Sequence, residues 1–324
     1  MKANAVFKII SPSEFKHTAL RMFRFQYQNN SIYSDFCNHL NRHPANVKTL
    51  SDIPYLPIQC FKTHRVLTGT EPVKEIFTSS GTTGNTSKHY LTDTSLYRKS
   101  YRSTFQYFYG AVKEYTILAL LPAYLERKGS SLVYMVHDLI EQTGTPESGF
   151  YLRNLKELKE KLIALDAMGK PILLIGVSFA LLALAERYTF RLKNTIIMET
   201  GGMKGRRKEM TRTQLHHILC NRFGVTKIHS EYGMTELLSQ AYSMGNGIFK
   251  PPPWMKIMTR ETEDPLTLQA FGKTGGINII DLANRNSCAF IATQDLGRSY
   301  ADGSFEVLGR FDHADIRGCN LMLL

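Results

Sequence analysis

The sequence predicts an α/β fold, a mostly parallel sheet with flanking helices, joined to a small C-terminal β-rich lobe. Three observations carry that reading. Between residues 172 and 230, strand-like runs at 172–177, 195–198 and 227–230 alternate with helical stretches at 179–187 and 206–223, the pattern of crossovers onto parallel neighbours. From Gly272 the texture changes to short β-like runs at 277–282, 289–293 and 305–308, separated by the turn dipeptides Gly275-Gly276 and Asp302-Gly303. A chain of 324 residues, 43% hydrophobic and 21% charged, is also long enough to bury a large core. The expected division is therefore 1–271, an α/β core with a helical lead-in, and 272–324, a small lobe and tail carrying Cys319.

Each element has its own signal. Ser11-Pro12-Ser13-Glu14 combines an N-cap, a first-turn proline and a capping-box acid, and Phe15, Ala19, Met22 and Phe23 follow on one helical face. Ile32, Phe36 and Leu40 mark a second helix packed beside the first. Prolines between residues 44 and 57 make an irregular approach to the main sheet. An aromatic-rich helix at 96–109 precedes a strand at 115–121 that Pro122 closes. Helices are expected at 132–140 and 152–165, the latter with Leu152, Leu155, Leu158, Leu162 and Leu165 on one face and Glu157 paired with Lys161. His137 has no histidine at metal-ligand spacing and reads as a satisfied, partly buried side chain.

Composition narrows the function classes. The longest apolar stretch, 171–185, is shorter than the roughly 20 residues that span a bilayer, and reads as a buried strand running into a helix. The N-terminus has no uninterrupted apolar segment of the kind that directs export. Five cysteines, widely spaced and without a C-x-x-C pair, support neither a zinc knuckle nor a thioredoxin-type motif and fit a reducing cytoplasm. Forty basic against 28 acidic residues give a net charge of +12, which suits a polyanionic ligand or an acidic partner. The basic residues are scattered and no nucleic-acid motif accompanies them.

The richest chemistry lies at residues 77–89, where Phe77-Thr78-Ser79-Ser80-Gly81-Thr82-Thr83-Gly84 leads to Lys88. Gly81 and Gly84 allow close backbone approach, so N–H groups, the hydroxyls of Ser79, Ser80, Thr82 and Thr83, and Lys88 can surround a phosphate chain. A polar hairpin is the other reading of this run, which lacks the G-x-x-x-x-G-K-[S/T] spacing of NTPases. Two further loops fall at the carboxyl ends of expected parallel strands, where ligands of such sheets bind: residues 199–205, with Gly201 and Gly202, and 231–236.

The run at 79–88 resembles the phosphate loop of adenylate-forming enzymes, with Thr86 where proline is usual and lysine one place late. Tyr232-Gly233-Met234-Thr235-Glu236 is similar to their Y-G-x-T-E motif. Asp295 stands where they carry T-G-D, and residues 309–318 match G-R-x-D-x-x-I-K-x-x-G with Arg317 in place of lysine. The match covers 77–319 and implies their N-terminal-domain fold, with ATP and Mg²⁺ as cofactors. By that resemblance Ser79 to Thr83 and Gly84 cradle the phosphates, Tyr232 stacks on adenine beside Gly201 and Gly202, and Thr235 bonds the α-phosphate or acyl carboxylate. Glu236 holds the metal, Asp295 accepts from the ribose with Arg310 nearby, and Lys88 supplies charge to the phosphates. Taken singly, Tyr232 also reads as packing, Glu236 as a helix N-terminal acid and Asp295 as a turn residue.

Relatives in that group usually continue into a mobile C-terminal domain of about a hundred residues bearing a catalytic lysine. This sequence ends at Leu324, five residues after Cys319, and is expected to lack that domain. In its Arg317-Gly318-Cys319 ending it resembles the acyl-protein synthetases (LuxE family) of the bacterial luminescence fatty-acid reductase complex. The resemblance implies an enzyme that adenylates a carboxylic, fatty acid, moves the acyl group to Cys319 and passes it to an acyl reductase partner. A thiolate is a strong acyl acceptor, His313 and Arg317 are near it in sequence, and the stretch from Arg310 could extend about 30 Å. Cys319 also reads as a small apolar residue, while Cys37, Cys60, Cys220 and Cys288 read as structural. Two other functions fit the same motifs: an acyl-CoA ligase of the phenylacetate type, and a nucleotide-binding scaffold without catalysis. The segment 172–184 and the aromatic helix read equally as acyl-channel lining and as core.

Overall fold

The computed structural model describes residues 3–79, 86–121, 129–151, 154–201 and 210–310. The chain forms two compact units, one of Met1–Val73, His89–Thr92 and Pro253–Leu324, the other of Lys74–Lys88 and Asp93–Pro252. Contacts thus group the chain otherwise than a division at residue 272, which we keep as a proposal about independently folding lobes.

The second unit holds the parallel sheet. Its strands lie side by side in the order Gly149–Phe150, Thr116–Leu120, Ile172–Val177, Thr195–Thr200 and His229–Tyr232, all parallel. Two antiparallel strands, Ala241–Ser243 and Ile248–Lys250, follow beyond the last. Every residue of Thr116–Leu120 and Ile172–Val177 is buried. A sheet covered on both faces selects such unbroken apolar runs over alternation. The run expected to be a strand entering a helix is one: Ile172–Val177 passes directly into Ser178–Arg187.

Helices Thr94–Tyr109, Ser131–Thr143, Leu155–Ala167 and Arg212–Phe223 belong to the same unit. Leu158, Leu162 and Leu165 are buried as the leucine stripe requires; Leu152 lies outside the described residues. The last helix starts later than expected. Thr211 caps it by accepting from Gln214 N while the Gln214 side chain returns to Thr211 N, and Gly224 ends it in the left-handed region. The strand after it is displaced too, running His229–Tyr232, so Glu231 and Tyr232 are strand residues. His137 is solvent-exposed, 3.7 Å from Glu141, and so is not the partly buried side chain expected.

In the first unit, Met255–Arg260, Thr274–Asp281, Phe290–Ser299 and Phe305–Arg310 form an antiparallel sheet in that order, and Leu56–Pro57 lies parallel on the third strand. Helix Pro12–Asn29 carries the capping box at Ser11 and Glu14, and buries Phe15, Ala19, Met22 and Phe23. Its Gln26 amide donates to the carbonyls of Asn284, Arg285 and Ser287 and accepts from Ala289 N, tying the helix to the loop before Phe290. In Ser31–His39 the buried face is Tyr33 and Cys37, one position on from the apolar stripe expected. Tyr33 takes that place because its hydroxyl reaches Pro54 O at 2.8 Å. Gly275-Gly276 is not a turn but the start of Thr274–Asp281. A Cβ at Gly276 would sit 2.6 Å from the Arg260 guanidinium carbon, so close packing rather than chain reversal selects glycine there. Among the described residues, no helix is long and apolar enough to cross a membrane.

Candidate active site

Strand Glu75–Thr78 delivers the chain into the Ser/Gly/Thr loop, with Phe77 buried edge-on to Tyr97 and Tyr134. Ser79 is paired with Ser87: its N–H donates to Ser87 O at 3.1 Å and its hydroxyl accepts from Ser87 N at 2.9 Å. Lys88, at the start of Lys88–Leu91, is exposed. Ser80, Gly81, Thr82, Thr83 and Gly84 lie outside the described residues, as do Gly202 and Cys319. Gly201, which is described, has φ +67.

The Tyr232-to-Glu236 motif leaves the carboxyl end of His229–Tyr232, where parallel sheets present their ligand sites. Thr235 and Glu236 form a turn closed by Leu237 N donating to Met234 O at 3.1 Å, and buried Leu237 and Leu238 anchor it. Glu236 is buried in that turn and does not begin a helix. Tyr232 is buried, its ring 5.9 Å from that of Phe249, and the Arg212 guanidinium lies 4.9 Å from the Phe249 centroid. Arg212 Nε also donates to Glu199 Oε1 at 3.3 Å.

Glu199 and Glu231 end neighbouring strands on opposite faces, since Glu199 is level with Ser230 and Thr200 with Glu231. Their titrations are driven apart. Burial opposes charge on Glu199, but His216, Arg212 and Ser230 outweigh it and hold the carboxyl below its usual range. Burial pushes Glu231 up to about 7, with Glu199 adding repulsion and the Thr200 hydroxyl, 2.5 Å from Oε2, opposing the shift.

In the other unit, Asp295 lies within Phe290–Ser299, level with Arg310, whose Nε donates to Asp295 Oδ1 at 3.2 Å. Asp295 is nearly buried and is not a turn residue, while the Arg310 side chain is 73% exposed. Pairs with one partner so exposed contribute little stability, so a competing hydroxyl can replace the arginine cheaply. Behind them Arg260 is buried, donating to Ile277 O, Asn278 Oδ1 and Thr293 O, and its pKa is lowered to about 10 by burial against the opposing influence of Asp295.

The sequence marks Thr235, Glu236, Tyr232 and Asp295 as candidates; Phe249, beside Tyr232, Arg212, over Phe249, and the buried Arg260 near Asp295 are added by the structure. The capping box at Thr211 and Gln214 would have placed Arg212 at a helix start; no local signal marks Phe249 or Arg260.

The family model of the acyl-protein synthetases, LuxE, matches residues 12–324. The chain belongs to that family. Membership makes it an ATP-dependent acid-activating ligase. A curated relative, the long-chain-fatty-acid–luciferin-component ligase of Vibrio harveyi, is 25% identical over 93% of this chain and 85% of its own. Among solved structures, ATP-bound MatB from Rhodopseudomonas palustris is similar with a TM-score of 0.55 and 17% identity, over 75% of this chain and 49% of that one. O-succinylbenzoate Coenzyme A synthetase (MenE) from Bacillus subtilis, with ATP and magnesium, gives 0.52 and 18%, over 74% and 50%. The chain spans about half the length of these structures, and at such identities they establish the fold alone, that of the N-terminal domain of adenylate-forming enzymes.

Proposed function

We propose that this family member adenylates a long-chain fatty acid with ATP and Mg²⁺, transfers the acyl group to Cys319 and hands it to a partner acyl reductase. The observation that carries the reading is the buried Glu236 turn at the carboxyl end of a parallel strand, in a chain whose family match runs nearly end to end. A fatty acid is proposed because the curated relatives are fatty-acid ligases by name.

The acid's carboxylate attacks the α-phosphorus, the bond to the β-phosphate breaks and pyrophosphate leaves. The Cys319 thiolate then attacks the acyl carbon and displaces AMP. Thr235 and Lys88 are proposed to meet the reacting phosphates, together with Ser79, Ser80, Gly81, Thr82, Thr83 and Gly84; Tyr232, Gly201 and Gly202 to flank adenine; Asp295 and Arg310 to meet the ribose. Among the described residues no three His, Cys, Asp or Glu side chains gather to cage a metal. One buried carboxylate, Glu236, fits Mg²⁺ held largely by phosphate oxygens and water, and the ion would neutralise charge there. The other cysteines support Cys319 as acceptor. Burial pushes the Cys37 thiol up to about 12 and raises Cys60, Cys220 and Cys288 as well, keeping all four protonated and weakly nucleophilic.

Intact mass after incubation with ATP, Mg²⁺ and fatty acid tests this. A hydroxylamine-labile acyl adduct, absent in Cys319→Ala, is expected. An adduct that persists in Cys319→Ala overturns the acceptor, and acyl-CoA formed on adding CoA, without an adduct, replaces the function with that of a CoA ligase.

A further inference from the structure

Glu231 is the residue before the Tyr232 motif, yet its carboxyl reaches forward to the motif's backbone. Oε1 lies where a side chain at position 233 would begin: a Cβ on Gly233 would overlap it and lie 3.4 Å from Gln240 Cγ. Glycine at 233 therefore leaves room for the carboxyl, which a side chain there would push aside. The other oxygen, Oε2, accepts from Thr200 Oγ1, so the carboxyl is clamped between the neighbouring strand and residue 233.

The surroundings favour a neutral acid in this place. On Glu231's face of the sheet lie His229, two residues before it, which burial keeps neutral, and Tyr242, its register partner on the antiparallel strand; Tyr97 and Tyr109 from helix Thr94–Tyr109 and, from the opposite face of the adjacent strand, Glu199 act on it through space. No cation stands among these groups. Gln240 also borders Gly233, through its Cγ, and its buried Oε1 has no hydrogen-bond partner among the described residues.

We propose that Glu231 is a positioning residue for turn 232–236: as the neutral acid, held by Thr200, it fills the space over Gly233 and locks the turn, and ionisation releases the lock. The burial-driven shift of its titration toward neutrality places the release within the working pH range of a cell. What the turn is for rests on the acid-activation reading.

Amide hydrogen exchange at Leu237, whose N–H closes the turn on Met234 O, reports the lock without any substrate. Between pH 6 and 8 the wild-type protection factor at Leu237 should fall about tenfold, following the fraction of neutral acid, while amides of Ile172–Val177 hold theirs. Glu231→Gln, a permanently neutral isostere, should keep the low-pH protection at both values, whereas Glu231→Ala should lose it at both. Unchanged wild-type protection, or a Gln variant that loses as much as wild type, overturns the proposal. If the Ala variant does not fold, the Gln comparison decides alone. In acid-dependent ATP–pyrophosphate exchange, KM for ATP should rise across the same interval in wild type and stay level in Glu231→Gln. Failure of all exchange would defeat the acid-activation reading, and the Leu237 protection would still decide the lock.

Discussion

Two titratable side chains on one face of the strand His229–Tyr232 are pushed in opposite directions by the same burial. Glu231 rises from 4.5 to about 7, so its contribution to stability is full below 4.5 and is lost as pH rises through 7. His229 falls from 6.5 to about 4, through burial and then Lys227, so its contribution is full above 6.5 and is lost as pH falls through 4. Each is on the order of 3 kcal/mol across its window, and the two largely offset where they overlap. Denaturant melts of Glu231→Gln should therefore show stability climbing from pH 4 to 6.5, and His229→Gln should show it falling from 4.5 to 7; matching flat profiles would contradict both assignments. Lys88 is a separate case. If the exposed ammonium meets the phosphates, Lys88→Ala slows adenylation by about a hundredfold with unchanged melting, and an unaltered rate removes it from the site.

Among the elements, the caps and the buried strands carry the clearest energetic expectations. Thr211→Ala should cost about 1 kcal/mol by removing the cap of Arg212–Phe223. Leu174→Ala, fully buried at the centre of Ile172–Val177, should cost about 2–5 kcal/mol. Differential scanning calorimetry separates the two, and a strand variant no worse than the cap variant would contradict the core described here. These same elements show why much of the fold was legible. Ser11 and Glu14 announce a helix through local hydrogen bonds, and Ile172–Val177 announces a buried strand through its unbroken apolar run. What escaped was decided by distant partners. Gly275-Gly276 looks like a turn until the Arg260 guanidinium is seen to occupy the space over it, and Tyr33 displaces Ile32 from the buried face through a bond to Pro54. At the site, Tyr232, Thr235 and Glu236 were legible as one contiguous motif. Phe249 becomes the neighbour of Tyr232, and Arg212 that of Phe249, only in the folded sheet.

At the scale of the whole molecule, the net charge of +12 is the property that bears most directly on a polyanionic substrate. Long-range attraction is screened over about 8 Å at physiological salt and about 3 Å at 1 M. Affinity for ATP, measured by calorimetry, should accordingly weaken as salt rises, while affinity for a neutral long-chain alcohol mimicking the acid should hold or strengthen. Equal salt sensitivity of both would deny the charge any part in nucleotide capture.

Activation of a carboxylic acid as its adenylate is the step on which the proposed function depends, and isotope exchange between pyrophosphate and ATP measures it without needing an acyl acceptor. Exchange should require Mg²⁺ and a long-chain fatty acid, persist in Cys319→Ala and collapse in Glu236→Gln. Absence of acid-dependent exchange across acids of graded chain length, or full exchange in Glu236→Gln, would contradict it.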